Sequence, residues 1–342
     1  MLASVGWTDR VAALVASSSC AEGDPARVVR VDRDRSAVVL ADRASTAAGD
    51  PLPAVGDWVL LSPRPSSDPP YEVVEVLPRW SALGRHNAGR ATTEQVLAAN
   101  IDIVAVIAGL DHPVNHSRLD RELVVAWETG ARPVVVLTKA DACASPQVEA
   151  TDVFDRHAGV DVIVTSAVNG TGVDEVADRI APGETIVLLG ASGVGKSTLA
   201  NALLGRDELD TGAVRGVDRK GRHTTTSRHL LALPGGGVLI DTPGLRSLGL
   251  FEADAGMALA FADIEELTEQ CRFANCSHTG DAGCAVAAAV TDGSLSAERL
   301  DSWHKLQREM ERVAAQRDGR ARAEQHKAAR RFGRVIKDQP HR

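Results

Sequence analysis

Hydrophobic and polar positions change rhythm twice along this chain. Between residues 26 and 77 the apolar positions come in short, Val-rich runs: ARVVRVD (26–32), SAVVLAD (36–42), DWVLLS (57–62) and YEVVEVL (71–77). Gly, Pro, Asp and Ser clusters separate them, with Asp50-Pro51 and Pro63 to Pro70 supplying turns or an open loop. Such runs read as strands. About five short strands without helical periodicity predict a small barrel or sandwich. A barrel of this kind can bind an oligonucleotide, or serve only for packing or dimerisation; the strand pattern favours neither.

From about residue 92 the runs become continuous: IDIVAVIAGL (101–110), RPVVVLTKAD (132–141), DVIVTSA (161–167), ETIVLLG (184–190) and GGVLIDTPG (236–244). Each ends in small or polar residues. Helix-length stretches lie between them, such as 118–129 and 147–157. Buried parallel strands alternating with helices predict an α/β sheet with ligand loops at the strand carboxyl ends. After about residue 252 the strands stop. Residues 258–270 read as helix, a Cys/His cluster follows, and 296–329 read as a long charged helix.

Composition sharpens this picture in three ways. A length of 342 residues suggests two or three domains, and 44% hydrophobic content excludes global disorder. No apolar run reaches the roughly 18–20 residues of a membrane span, and the N-terminus lacks a signal-peptide pattern, so a cytoplasmic protein is expected. The net charge of −8 argues against a nucleic-acid partner, but it hides an asymmetry. Residues 303–342 carry 12 Lys+Arg against 5 Asp+Glu, a net of +7, and the rest carries −15. RNA contact is therefore expected through the basic tail, with Arg79, Arg85 and Arg90 near the barrel exit.

The strongest local motif is Gly190-Ala191-Ser192-Gly193-Val194-Gly195-Lys196-Ser197-Thr198, which fits G-x-x-x-x-G-K-[ST] after a predicted strand. Its glycines let backbone N–H groups turn toward phosphate oxygens. Lys196 is placed to reach the β- and γ-phosphates, and the Ser197 hydroxyl to ligate Mg²⁺. Asp241-Thr242-Pro243-Gly244 ends the strand at 236–240. Asp241 there can hold Mg²⁺ through water, and the Gly244 N–H can meet the γ-phosphate.

Thr138-Lys139-Ala140-Asp141 resembles the guanine-reading element [N/T]-K-x-D. A carboxylate at Asp141 can accept from both N1–H and the exocyclic amine of guanine, a donor pair that adenine lacks. The Lys139 stem can cover the base, while Thr138 stands where Asn is commoner. Thr165-Ser166-Ala167 resembles the second base-side loop, whose N–H groups meet the guanine carbonyl oxygen.

Motif order adds the decisive point. Ordinary GTPases begin with the phosphate loop, but here both base-side loops precede it and DTPG follows. This is a circular permutation, which leaves the ligand loops at one sheet edge. Between phosphate loop and DTPG lies Arg222-His223-Thr224-Thr225-Thr226, where Thr225 is the candidate to complete the Mg²⁺ shell. Leu245 follows DTPG and cannot orient water, so His223 or a partner must do so.

Three of the five cysteines fall in Cys271-x4-Cys276-x-His278-x5-Cys284. Three Cys and one His suit a closed tetrahedral Zn²⁺ site with a structural role. A disulfide is less compatible with the included histidine and a reducing compartment. Cys20 and Cys143 read as free thiols.

Together these residues resemble the ribosome-small-subunit-dependent GTPase A family, circularly permuted GTPases of ribosome assembly. The resemblance rests on VGDWV (55–59), LPRWSALGR (77–85), AANIDIV (98–104), TKAD, GASGVGKST, GRHTTT (221–226), DTPG and CRFANCSHTGDAGCAV (271–286). It implies a multidomain α/β protein: an N-terminal OB-fold barrel (1–91), a permuted GTPase domain (92–252) and a C-terminal, mainly helical zinc domain with a basic tail (253–342). It also implies GTP hydrolysis stimulated by the small ribosomal subunit during its late maturation, with rRNA as partner, GTP/GDP as ligands, a monomeric state and no membrane. Two other readings are a regulatory RNA-binding protein with a vestigial nucleotide site, which Leu245 permits, and an ATP-dependent enzyme on a phosphate-loop scaffold, which TKAD opposes.

Overall fold

Five N-terminal strands close into a barrel: β1 (Asp24–Val31), β2 (Ser36–Val39), β3 (Ala44–Ala48), β4 (Trp58–Pro63) and β5 (Tyr71–Val76). Their order is β1-β2-β3-β5-β4, and β4 pairs back to β1 to seal the ring. All contacts are antiparallel except β3 with β5, which is the expected OB-fold arrangement. Ala26, Val28, Val38, Leu40, Ala47, Val59 and Leu61 fill the interior. β5 alternates half-buried and exposed positions, as a strand with one wet face must.

The computed structural model describes residues 1–20, 22–32, 34–50, 52–86, 94–157, 159–209, 229–241 and 253–315. The chain divides into two units, Met1–Gly249 with Ala255–Ala260, and Leu250–Asp254 with Phe261–Arg342. In the first unit β6 (Ala82–His86) and β7 (Glu94–Ala99) form a two-stranded sheet. β8 (Ile103–Gly109), β9 (Arg132–Thr138), β10 (Asp161–Val164), β11 (Thr185–Gly190) and β13 (Val238–Asp241) are parallel, in the order β10-β9-β8-β11-β13. β12 (His229–Ala232) is antiparallel to β13, and also meets β1 through Arg30 and His229. Barrel and α/β region therefore share one eleven-stranded sheet.

Helices α2 (His116–Glu128), α3 (Pro146–Arg156), α4 (Val173–Asp178) and α5 (Lys196–Leu204) connect these strands. Asn115 caps α2 by accepting from the Arg118 N–H, and Pro146 opens α3. α1 (Asp9–Ala16) precedes the barrel. Ile103, Ile107, Val136, Ile186, Leu188, Leu199, Leu203 and Leu239 belong to the core between sheet and helices.

Arg27 joins barrel to α/β sheet. Its buried guanidinium donates to Thr185 Oγ1 at 2.7 Å, to Gly56 O at 3.3 Å and to the Val5 carbonyl, and lies 5.1 Å from the Trp58 ring. Burial lowers its pKa to about 10, which still leaves it charged at neutral pH. Asp102 accepts from Thr185 N at 2.8 Å and Trp80 Nε1 at 3.1 Å, and burial pushes its carboxyl above the usual range.

The stretch 258–270 is not one helix. It divides at Phe261 into α6 (Asp254–Ala260) and α7 (Ala262–Thr268), because Phe261 takes a non-helical backbone and its ring is fully buried. α8 (Ala285–Asp292) and a helix over 297–315, α9, complete the second unit. Arg299 of α9 grips Asp263 of α7 at 3.0 and 3.2 Å, and Trp303 Nε1 donates to Glu265 at 3.3 Å. The expected tail thus begins as packed helix, with Trp303 and Leu306 in the core. Among the described residues no helix is long and apolar enough to cross a membrane.

Candidate functional site

β8 and β11 are neighbours although β9 and β10 lie between them in sequence, which makes their carboxyl ends the switch point where open α/β sheets bind ligands. Gly190 ends β11 at φ 148°, where an added Cβ would stand 2.5 Å from the Ile107 carbonyl of β8. Only glycine fits there. The loop turns through Gly193 and Gly195, both at positive φ, into α5. Gly195 is the N-cap of α5 and brings no side-chain cap, so no capping side chain stands between the helix N-terminus and an anion. Lys196 Nζ donates to Gly190 O at 2.9 Å and to Ala191 O, curled over its own loop. Ser197 is half-buried beside it, and Thr198 is exposed.

The base-side loops are stitched to this one and to each other. Thr138, buried at the end of β9, sends its hydroxyl to the Val194 carbonyl of the phosphate loop, with Ala108 O 3.3 Å away. Lys139 sits in the left-handed region at φ 60°, and its amine bonds Asp111 Oδ2 at 2.8 Å. That bond holds the Asp111 carboxyl below its ordinary range. Asp141 lies in the 3-10 turn Ala140–Ala142, where Ser166 Oγ donates to its Oδ1. Ala140 N donates to Thr165 O at 3.1 Å, and Ser166 N to Thr171 O at 2.9 Å, leaving Ala167 in the same loop.

Asp241 is half-buried at the carboxyl end of β13, its Cα paired with that of His229. Burial and the nearby charge of Arg30 keep the His229 imidazole below its usual pKa. Gly244, Leu245, His223, Thr225 and Arg90 lie outside the described residues. Arg79, expected to contact RNA, is bonded through Nε and Nη2 to Asp57.

Two acidic residues beside the site escaped the motif reading. Asp111 follows β8, and its position just past a strand carboxyl end was the available signal. Glu122, on α2, has its carboxyl raised by burial against the opposing charges of Arg118, Lys196 and Arg121. Nothing in its helix pattern marks it.

In the second unit Cys271 Sγ, Cys276 Sγ, His278 Nδ1 and Cys284 Sγ all lie within 4.8 Å of one another. Cys271 Sγ is 3.5 Å from His278 Nδ1 and 4.0 Å from Cys284 Sγ, and Cys284 Sγ is 3.7 Å from His278 Nδ1. Bonds of ~2.3 Å to sulfur and ~2.0 Å to nitrogen put tetrahedral zinc ligands about 3.5–3.8 Å apart. The donor set therefore fits zinc, and the cysteines are free thiols. His278 adopts φ 57°, and its ring stands edge-on to Trp303 at 5.6 Å. Cys284 caps α8, with its sulfur accepting from Ala287 N at 3.3 Å.

A parallel sheet whose phosphate loop enters after both base-side loops, with the site residues tied together across them, defines a circularly permuted phosphate-loop GTPase. The chain belongs to the RsgA GTPase family, whose profile matches residues 76–251. A second profile, described as 50S ribosome-binding GTPase, matches 185–318 and begins at β11, where a GTPase of ordinary order starts. The chain is 49% identical to the small ribosomal subunit biogenesis GTPase RsgA of Streptomyces coelicolor, over 98% of this chain and 94% of that protein. It is 41% identical to the protein of that name from Opitutus terrae, over 93% and 92%. Among solved structures it resembles YjeQ from Thermotoga maritima, with TM-score 0.62 and 23% identity over 84% of this chain and 98% of that one. It also resembles YloQ, described as a circularly permuted GTPase, with TM-score 0.59 and 23% identity over 85% and 96%.

Proposed function

We propose that this GTPase acts in late maturation of the small ribosomal subunit, binds that subunit's rRNA, and hydrolyses GTP faster when bound to it. The names of its relatives support the pathway. The observation that carries the nucleotide reading is the tying of three loops at one sheet edge: Thr138 to Val194, and Asp141 to Ser166. Residues Gly190 to Thr198 cradle the phosphates. Lys196 leaves the Gly190 and Ala191 carbonyls and turns to the β- and γ-oxygens. Asp141 reads the guanine edge, Lys139 covers its face, and Thr138, Ala140, Ser166 and Ala167 shape the pocket.

Ser197, Asp241 and Thr225 are the assigned holders of Mg²⁺, which when bound supplies charge neutralisation at the phosphate oxygens. Gly244 senses the γ-phosphate, and His223 is the proposed group at the attacking water, with Leu245 inert. Cys271, Cys276, His278 and Cys284 hold one structural zinc. The working domains are 1–91, 92–252 and 253–342, in a cytoplasmic monomer. RNA contact falls to the basic residues beyond the packed part of α9.

The test is GTP turnover by the full chain with and without purified small subunits. Stimulation is expected, and equal rates would overturn the proposal.

A further inference from the structure

We propose that Thr138 makes guanine recognition by this chain independent of the purine N7, so that selectivity rests on Asp141 at the Watson–Crick edge. The inference builds on the guanine-nucleotide reading above. Guanine N7 is an acceptor only and can be read only by a donor. A threonine hydroxyl carries one proton and cannot donate twice. The Thr138 hydroxyl donates to the Val194 carbonyl, and its other recorded partner, Ala108 O at 3.3 Å, is an acceptor too.

The site leaves the side chain little freedom to turn. Thr138 is buried at 4% exposure, and a Cβ placed on Gly195 would lie 3.3 Å from its hydroxyl oxygen and 3.5 Å from its Cβ. Its β-branch further restricts χ1. Releasing the proton toward the base would strand the Val194 carbonyl of the phosphate loop without its donor. An asparagine amide has two N–H groups and can serve loop and base together. Thr138 is thus a positioning residue that fastens the base loop to the phosphate loop and gives up N7.

The opposite edge is supported independently. Ser166 donates to Asp141 Oδ1, and Ala140 N is bonded to Thr165 O at 3.1 Å, so the carboxylate and the turn that carries it are both fastened to the second base-side loop. An edge reader fixed in this way needs no second contact across the ring to discriminate guanine from adenine.

The experiment compares binding of GDP, 7-deaza-GDP and ADP to the full chain by calorimetry. The expected result is GDP and 7-deaza-GDP within about twofold of each other, with ADP far weaker. Thr138→Asn should then favour GDP over 7-deaza-GDP by about fivefold or more. Thr138→Ala, checked for an unchanged melting profile, should weaken both guanine nucleotides equally. A 7-deaza-GDP deficit of tenfold in the unsubstituted chain would overturn the inference while leaving the guanine reading intact. Equal binding of ADP and GDP would overturn both.

Discussion

Asp57 and Arg79 form a two-pronged ion pair, with Oδ1 2.7 Å from Nε and Oδ2 2.7 Å from Nη2, and the Asp57 side chain fully buried. Asp57 also accepts from Ala54 N at 2.7 Å. The pair fastens the start of β4 to the segment that leaves the barrel after β5. Arg79→Ala strands a buried carboxylate and should cost about 3 kcal/mol in denaturant unfolding. Arg79→Lys should recover part of that loss. Unchanged stability in Arg79→Ala would contradict a structural role for the pair.

Asp141→Asn should weaken GTP binding and turn preference toward xanthine nucleotides, because the amide no longer accepts from both donors of guanine. Ser166→Ala removes one hydrogen bond to the charged carboxylate and should weaken GDP about tenfold. A competition assay among guanine, xanthine and adenine nucleotides reads both effects. Unaltered selectivity in Asp141→Asn would remove Asp141 from the site.

Elemental analysis of the purified chain should find one zinc. Cys276→Ser or a strong chelator should release it and melt the second unit, seen as lost helical signal. Helical content that persists after complete zinc removal would contradict a structural role.

His116 should make the fold less stable in mild acid. Its pKa lies below the usual 6.5 because burial disfavours the charged ring and Arg156 adds like charge, with Asp152, Asp120 and Glu149 opposing. Between that lowered value and 6.5 the unfolded chain binds the extra proton. Stability therefore rises with pH through this window and falls on acidification. The gap between wild type and His116→Gln should narrow from about pH 7.5 to about pH 5.5, followed by urea midpoints. A gap independent of pH would place the His116 titration outside this range.

Removing residues 316–342 deletes nine Lys+Arg against three Asp+Glu and spares Trp303 and Leu306. Affinity for the small subunit should drop and its salt dependence should flatten. A cut at 303 would instead remove buried side chains and confound the result. Equal affinity and salt slope after removal of 316–342 would exclude the tail from binding.

The sequence displayed the parts of this molecule better than their joints. The continuous runs at 132–141 and 184–190 became β9 and β11 because strands buried on both faces need unbroken apolar stretches. The Cys/His spacing brought four ligand atoms together because the motif is local. β3, with sequence ASTAA, carries too little apolar signal to stand out, and β12 is only four residues long. The β1–β12 contact joins Arg30 to His229, and the bond from Arg27 reaches Thr185, 158 residues away; no local pattern encodes either. Arg79 looked like a free surface charge because its partner lies twenty-two residues away.

The most direct test of the central claim is single- and multiple-turnover GTP hydrolysis by the full chain, alone and with small ribosomal subunits, beside Lys196→Ala. The expected result is slow hydrolysis alone, marked stimulation by the subunit, and no turnover in Lys196→Ala under either condition. Hydrolysis that proceeds at the same rate with and without the subunit, or that survives in Lys196→Ala, would contradict it.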